Sequence, residues 1–76
     1  MADNDFAMQQ VVSSQITEVG YSAGTKQLRV RFTNGSLYEY EAVPQEIFDG
    51  LVRAPSVGSF FHSAIKNGGY AYQKIG

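Results

Sequence analysis

Two alternating segments joined by an Asn-Gly turn constrain the fold more than any other feature of the 76 residues. Leu28-Arg29-Val30-Arg31-Phe32 puts an apolar side chain at every second position. After Thr33-Asn34-Gly35-Ser36 the alternation resumes in Leu37-Tyr38-Glu39-Tyr40-Glu41. Such alternation is the period of a strand with one buried face, and Asn-Gly between two such runs signals a hairpin. Two registers compete, because a slip of one residue sends every side chain to the other face. A two-residue Asn34-Gly35 turn opposes Phe32 to Leu37, Val30 to Glu39 and Leu28 to Glu41, setting acids against the apolar stripe. A three-residue turn with Gly35 as a left-handed bulge opposes Phe32 to Ser36, Val30 to Tyr38 and Leu28 to Tyr40, and pairs Arg29 with Glu39. The second register is the expected one. It gives a core face of Leu28, Val30, Phe32, Tyr38 and Tyr40, and a solvent face of Arg29, Arg31, Leu37, Glu39 and Glu41.

The flanking segments add one strand before this hairpin and two helices and a strand after it. Ile16-Thr17-Glu18-Val19-Gly20-Tyr21 is rich in β-branched and aromatic residues and stops at Ser22-Ala23-Gly24-Thr25-Lys26, which is turn material. Pro44 suits the first turn of a helix, and Ile47, Phe48, Leu51 and Val52 then form an apolar stripe over about 44 to 53. Pro55 turns Ala54 away from helical geometry, and Ser56 caps a second helix carrying Val57, Phe60, Phe61, Ala64 and Ile65 on one face. Asn67-Gly68-Gly69 ends that helix, and Tyr70 to Ile75 reads as a last strand. The expectation is one α+β domain over 13 to 76, ordered βββααβ. It is an antiparallel β-meander with two short helices on one face and a C-terminal edge strand. Residues 1 to 12 show no period and are read as a flexible tail, with Val11 and Val12 docking.

Composition narrows the function. Apolar residues at 43% suffice for one core, while charged residues at 17% fall below the roughly 25% usual for soluble domains. A net charge of -1 opposes any broad electrostatic grip on nucleic acid, so a basic site must be local. Cysteine is absent, which excludes disulfides, thiolate-bound zinc and thiol catalysis. One histidine and no carboxylate cluster leave little to build an enzyme from, so no catalytic residue, metal or cofactor is expected. No stretch is long enough to cross a membrane, nothing resembles a secretory leader, and a cytoplasmic protein is expected. A core this small often gains stability by self-association, which makes a homo-oligomer a reasonable expectation.

Many of these residues stand in an order and spacing that resembles the KTSC domain family. They are Ser13-Ser14, Ile16, Gly20-Tyr21, Leu28-x-Val30-x-Phe32, Asn34-Gly35-Ser36, Tyr38-x-Tyr40, Val43-Pro44, Phe48, Leu51, Ser56, Gly58, Phe60, Ile65 and Tyr70, and the resemblance covers about residues 12 to 75. That family takes its name from a C-terminal extension of some lysyl-tRNA synthetases and also occurs as a free-standing small bacterial or phage protein. The resemblance implies the fold and, through the synthetase context, RNA binding. Free-standing members are often more basic after the second helix than this chain, which offers only Lys66 and Lys74 there.

The residues themselves suggest where a ligand would sit. Ser56, Gly58 and Ser59 begin the second helix, where free N–H groups and two hydroxyls attract anions and the glycine leaves room for approach. Simple capping by Ser56 explains the same residues. Lys66, Tyr70 and Tyr72 complete the expected ligand-binding set, with Gly68-Gly69 admitting a ligand close to the backbone. Tyr38 and Tyr40 resemble the base-stacking aromatics of RNA-binding sheets, but parity directs them into the core. His62 falls on the polar side of the second helix and is read as solvent-facing. Arg29 and Arg31 are read as cross-strand partners of the nearby acids. The expected function is a non-catalytic module that binds RNA or another nucleotide-type ligand. The alternative is a small homo-oligomeric, phage-encoded interaction protein that sequesters a host protein partner or a phosphorylated small molecule.

Overall fold

A computed structural model describes residues 6–76, which form one five-stranded antiparallel sheet with a helical layer on one face. The strands are β1 (Gln9–Gln10), β2 (Ile16–Ser22), β3 (Gln27–Phe32), β4 (Leu37–Tyr40) and β5 (Tyr72–Lys74), paired in that order across the sheet. Helix α1 covers Gln45–Arg53, and helix α2 covers Val57–Phe60 before continuing into a wider π turn over Phe61–Ile65 and a 3-10 turn over Lys66–Gly68.

The hairpin adopts the bulged register. Val30 opposes Tyr38, Leu28 opposes Tyr40, Arg29 opposes Glu39, and the Phe32 N–H donates to the Ser36 carbonyl across the turn. Gly35 sits at φ +91°, in the left-handed region where a Cβ is unfavourable. The neighbouring strand contributes a feature that simple alternation hides. Ile16 and Val19 are three residues apart, so an uninterrupted strand would put them on opposite faces, yet both are fully buried. A bulge between Ile16 and Glu18 takes up the extra residue and lets Ile16 face Phe32 while Val19 faces Val30.

Both helices lay apolar stripes onto this face. Leu51 of α1 and Val57, Phe61 and Ile65 of the second helical segment join Ile16, Val19, Leu28, Val30, Tyr40 and Val43 in the core. The three buried positions of the second segment are spaced by four residues, and in an α-helix of 3.6 residues per turn each such step overshoots by about 40°. The π turn is wider and brings Phe61 and Ile65 back into line over the sheet. Within this arrangement Phe61 takes the deep position, edge-on to Phe32 and Tyr40. Phe60 is only half-buried and lies over Gly50 of α1.

Several expectations need correction. The C-terminal strand is shorter than the run from Tyr70 to Ile75. Residues 6–12 of the expected tail are not free chain: β1 pairs with β2 through Gln9 and Val19, and Met8 packs over Gly20. Val11 packs against the core, whereas Val12 is 97% exposed rather than docked. Residues 1–5 of that tail lie outside the described residues. The outer sheet face is also less open than alternation implies. Glu39 is 6% exposed, held by Arg29 at 2.9 Å and by the Gln27 amide at 3.3 Å, and the Phe6 ring covers the Arg29 guanidinium at 3.9 Å. Arg31 pairs with Glu18 on β2 at 3.1 Å.

Candidate functional site: a tyrosine cleft joined to a serine cleft

Helix packing leaves one end of the core face uncovered, and that opening is a cleft of about 750 Å³. Its floor comes from the sheet. Tyr38 and Tyr40 project from β4, and Tyr72 stands directly opposite Tyr40 on β5. The Glu41 N–H donates to the Ala71 carbonyl and the Ile75 N–H to the Leu37 carbonyl, so residues 71 and 75 turn their backbone toward β4. By alternation Tyr40 and Tyr72 form a pair without mutual hydrogen bonds, the type that brings side chains closest. Their rings lie 5.4 Å apart between centroids, and Tyr38 lies 6.1 Å from Tyr72. Phe32 and Phe61 back these rings edge-on.

The walls come from the end of the second helical segment and from the hairpin turn. His62, Lys66 and Tyr70 line the cleft from the helical segment and the turn after it, and Thr33 and Asn34 from the hairpin turn, joined by Gln15 from the segment before β2. Gly68 positions Tyr70, since a Cβ there would fall 2.7 Å from the tyrosine ring. Gly69, at φ +79°, turns the chain back toward β5. Burial, followed by the neighbouring Tyr72 and Tyr38 phenols, pushes the Tyr40 hydroxyl up to about 12, so it remains a neutral hydrogen-bonding group across the physiological range.

A second cleft of about 450 Å³ opens at the start of α2. Ser13, Ser14 and Gln15 line it from the segment before β2, and Ser56, Gly58, Ser59, His62 and Ser63 from the helical side. Ser56 is a true cap, since its Oγ accepts from the Ser59 N–H at 3.3 Å and its hydroxyl also reaches Ser59 Oγ at 3.1 Å. A Cβ on Gly58 would meet Ser13 Oγ at 3.4 Å and Gln15 Oε1 at 3.6 Å, so the glycine faces this cleft.

The six residues expected to bind a ligand therefore divide. Ser56, Gly58 and Ser59 lie in the serine cleft, and Lys66, Tyr70 and Tyr72 in the tyrosine cleft. Gln15 and His62 line both, and no Asp or Glu lines either among the described residues. His62 is exposed, as its place on the polar side of the helix suggests. The sequence assigns Tyr38 and Tyr40 to the core and Asn34 to the hairpin turn, and nothing in it marks Gln15, yet all four line the tyrosine cleft. The parity that faces the two tyrosines inward is correct, yet facing inward does not cover them. The signal lay in β5, where Tyr72 continues the aromatic row beyond the reach of the helices. Among the described residues no group of three or more His, Cys, Asp or Glu is gathered to hold a metal, and no helix is long and apolar enough to cross a membrane.

Comparison with known proteins places this geometry in context. Residues 12–72 match the family described as the KTSC domain. The KTSC domain protein of Yersinia pestis, a crystal structure, superposes with a TM-score of 0.86 at 35% identity, covering 93% of this chain and 99% of that one. An uncharacterised protein of Stutzerimonas stutzeri is 40% identical over 63 residues, spanning 83% of this chain and 89% of its own length. A lysine–tRNA ligase of Trichormus variabilis is 40% identical over 62 residues, which are 82% of this chain and 11% of the ligase.

Proposed function

Because the chain belongs to the KTSC domain family and shares its fold over nearly its whole length, we propose that it is a non-catalytic binding module for RNA or another nucleotide-type ligand. The observation that carries this reading is the tyrosine cleft. Tyr72 is 63% exposed beside Tyr38 and Tyr40, a large aromatic surface that water does not favour and that a planar base would cover. Base–aromatic stacking contributes about 1–3 kcal/mol per base. Lys66 supplies a cation, and among the described residues no acid lines the cleft to repel a phosphate. The serine cleft extends the surface with hydroxyls at Ser56 and Ser59 and open backbone at Gly58, suited to sugar and phosphate oxygens. The occurrence of a similar segment in lysine–tRNA ligases favours RNA among nucleotide-type ligands.

Calorimetric titration of short single-stranded RNA, mononucleotides and inorganic phosphate tests this reading. RNA should bind wild type and lose about fivefold or more in Tyr72→Ala, the lower end of one lost stacking contact, with the circular dichroism spectrum unchanged. With so few cations, the affinity should fall only shallowly with salt. No binding by wild type, or undiminished binding by the folded variant, would overturn the proposal.

The alternative, an interaction protein that sequesters a host partner, is favoured by Val12, fully open at the mouth of the serine cleft. It predicts a retained partner that is released by Val12→Asp and is indifferent to RNA.

A further inference from the structure

The outer edge of β5 has no strand partner among the described residues and is self-complementary, and we propose that two copies of this chain pair antiparallel along it, with Gln73 opposite Gln73 of the other copy. The inference is independent of the ligand reading.

The backbone directions leave few choices. Residues 71 and 75 hydrogen-bond to β4, and Gln73, paired with Glu39, shares their orientation. Tyr72 and Lys74 therefore point their N–H and C=O groups away from the sheet, at its last strand. Any antiparallel register that bonds these groups must oppose outward residues to outward residues. Centring the pair on Tyr72 would set Tyr72 against its copy and Lys74 against Tyr70, but Tyr70 has left the strand and folds over Gly68. Centring it on Lys74 would set one ammonium directly against the other, which is unfavourable. Centring it on Gln73 opposes Tyr72 to Lys74 twice, and all four free N–H groups then find carbonyls.

The same register explains a lysine that would otherwise oppose pairing. A lone Lys on an edge strand ordinarily guards it against association. Here each ammonium comes over the 63%-exposed ring of the other copy's Tyr72, where a cation is attracted to the aromatic face. Ile75, also exposed, flanks the seam. The twofold axis runs through Gln73 perpendicular to the sheet, so both tyrosine clefts open on the same side. Lys74 faces the same side as Tyr38, which it opposes across β4 and β5. Each copy thereby adds a cation to the border of the other's cleft.

The chain has no cysteine, which makes the test direct. Gln73 and its copy would form a pair without mutual hydrogen bonds, with Cα atoms about 4.5 Å apart, inside the range a disulfide spans. Under mild oxidation Gln73→Cys should yield a disulfide-linked dimer much faster than Thr25→Cys, placed in the exposed turn between β2 and β3. Lys74→Pro removes one outward N–H and leaves the β4 bonds intact, so it should sediment as a monomer where wild type sediments as a dimer. In wild type, hydrogen exchange at the Tyr72 and Lys74 amides should slow as concentration rises, a readout that needs no variant. A wild type that remains monomeric across the accessible concentrations overturns the proposal. Equal crosslinking at positions 73 and 25, or exchange at Tyr72 and Lys74 that ignores concentration, does so as well.

Discussion

Tyr40 is the residue where packing and solvent meet. It is 6% exposed, its ring rests on Phe61, and its hydroxyl belongs to the cleft that Tyr38 and Tyr72 also line. That position has a consequence for stability against pH. An unfolded tyrosine ionises at a pKa of about 10, whereas folded Tyr40 holds its proton to about 12. Below pH 10 both states are neutral and the contribution is complete. As pH rises from 10 to about 12 the unfolded chain loses the proton first, so stability falls across that window. Tyr40→Phe has nothing to ionise there. Denaturant unfolding at a series of alkaline pH values should show wild type losing more stability than Tyr40→Phe between 10 and 12, and parallel curves would mean the phenol is not buried as described. That Tyr40 faces inward follows from parity alone, whereas the partial cover above it does not.

The two helices meet through a glycine and a ring. Sequence patterning identifies both helices and their apolar stripes, and it places Phe60 and Phe61 together on one face. Choosing between them requires the π turn, which aims Phe61 at the sheet and leaves Phe60 to lie on α1. A Cβ on Gly50 would come 2.7 Å from the Phe60 ring. Replacing a helical glycine by alanine ordinarily stabilises by about 0.5–1 kcal/mol, through reduced freedom of the unfolded chain. Gly50→Ala should instead destabilise the wild-type protein, because the ring must move. In a Phe60→Ala background the same substitution should regain its usual sign. Urea unfolding of the four proteins measures this coupling. Equal effects in both backgrounds would show that the ring does not rest on α1.

Across the molecule the two sheet faces carry different chemistry. The helical side holds the core and the two clefts, which no acid lines among the described residues, while Glu18, Glu39 and Glu41 stand on the outer side with Arg29, Arg31 and Gln27. The N-terminal segment completes that outer side, with Phe6 over Arg29 and Met8 over Gly20. Removing both side chains in Phe6→Ala/Met8→Ala should cost about 1 kcal/mol or more, from the lost cation–π contact and apolar cover. In a domain of this size each kcal/mol shifts Tm by about 4–8 °C, so the loss is measurable by differential scanning calorimetry. An unchanged Tm would detach the segment from the sheet.

What the sequence determined by itself is local in physical origin. The alternation of Leu28 to Phe32 and Tyr38 to Glu41, closed by a glycine able to take φ +91°, admits one register without buried acids against the apolar stripe, and the structure has it. Caps and prolines likewise mark the helix boundaries, because they act on their own backbone within one turn. Only the tertiary structure decided the rest. The bulge between Ile16 and Glu18, the pairing of Gln9 with Val19 and the π turn each depend on a partner distant in sequence, and leave no periodic trace. The tyrosine cleft arises the same way: inward orientation is a property of a strand, but burial depends on how far the helical layer extends. It covers Tyr40 on β4 and leaves Tyr72 on β5 open.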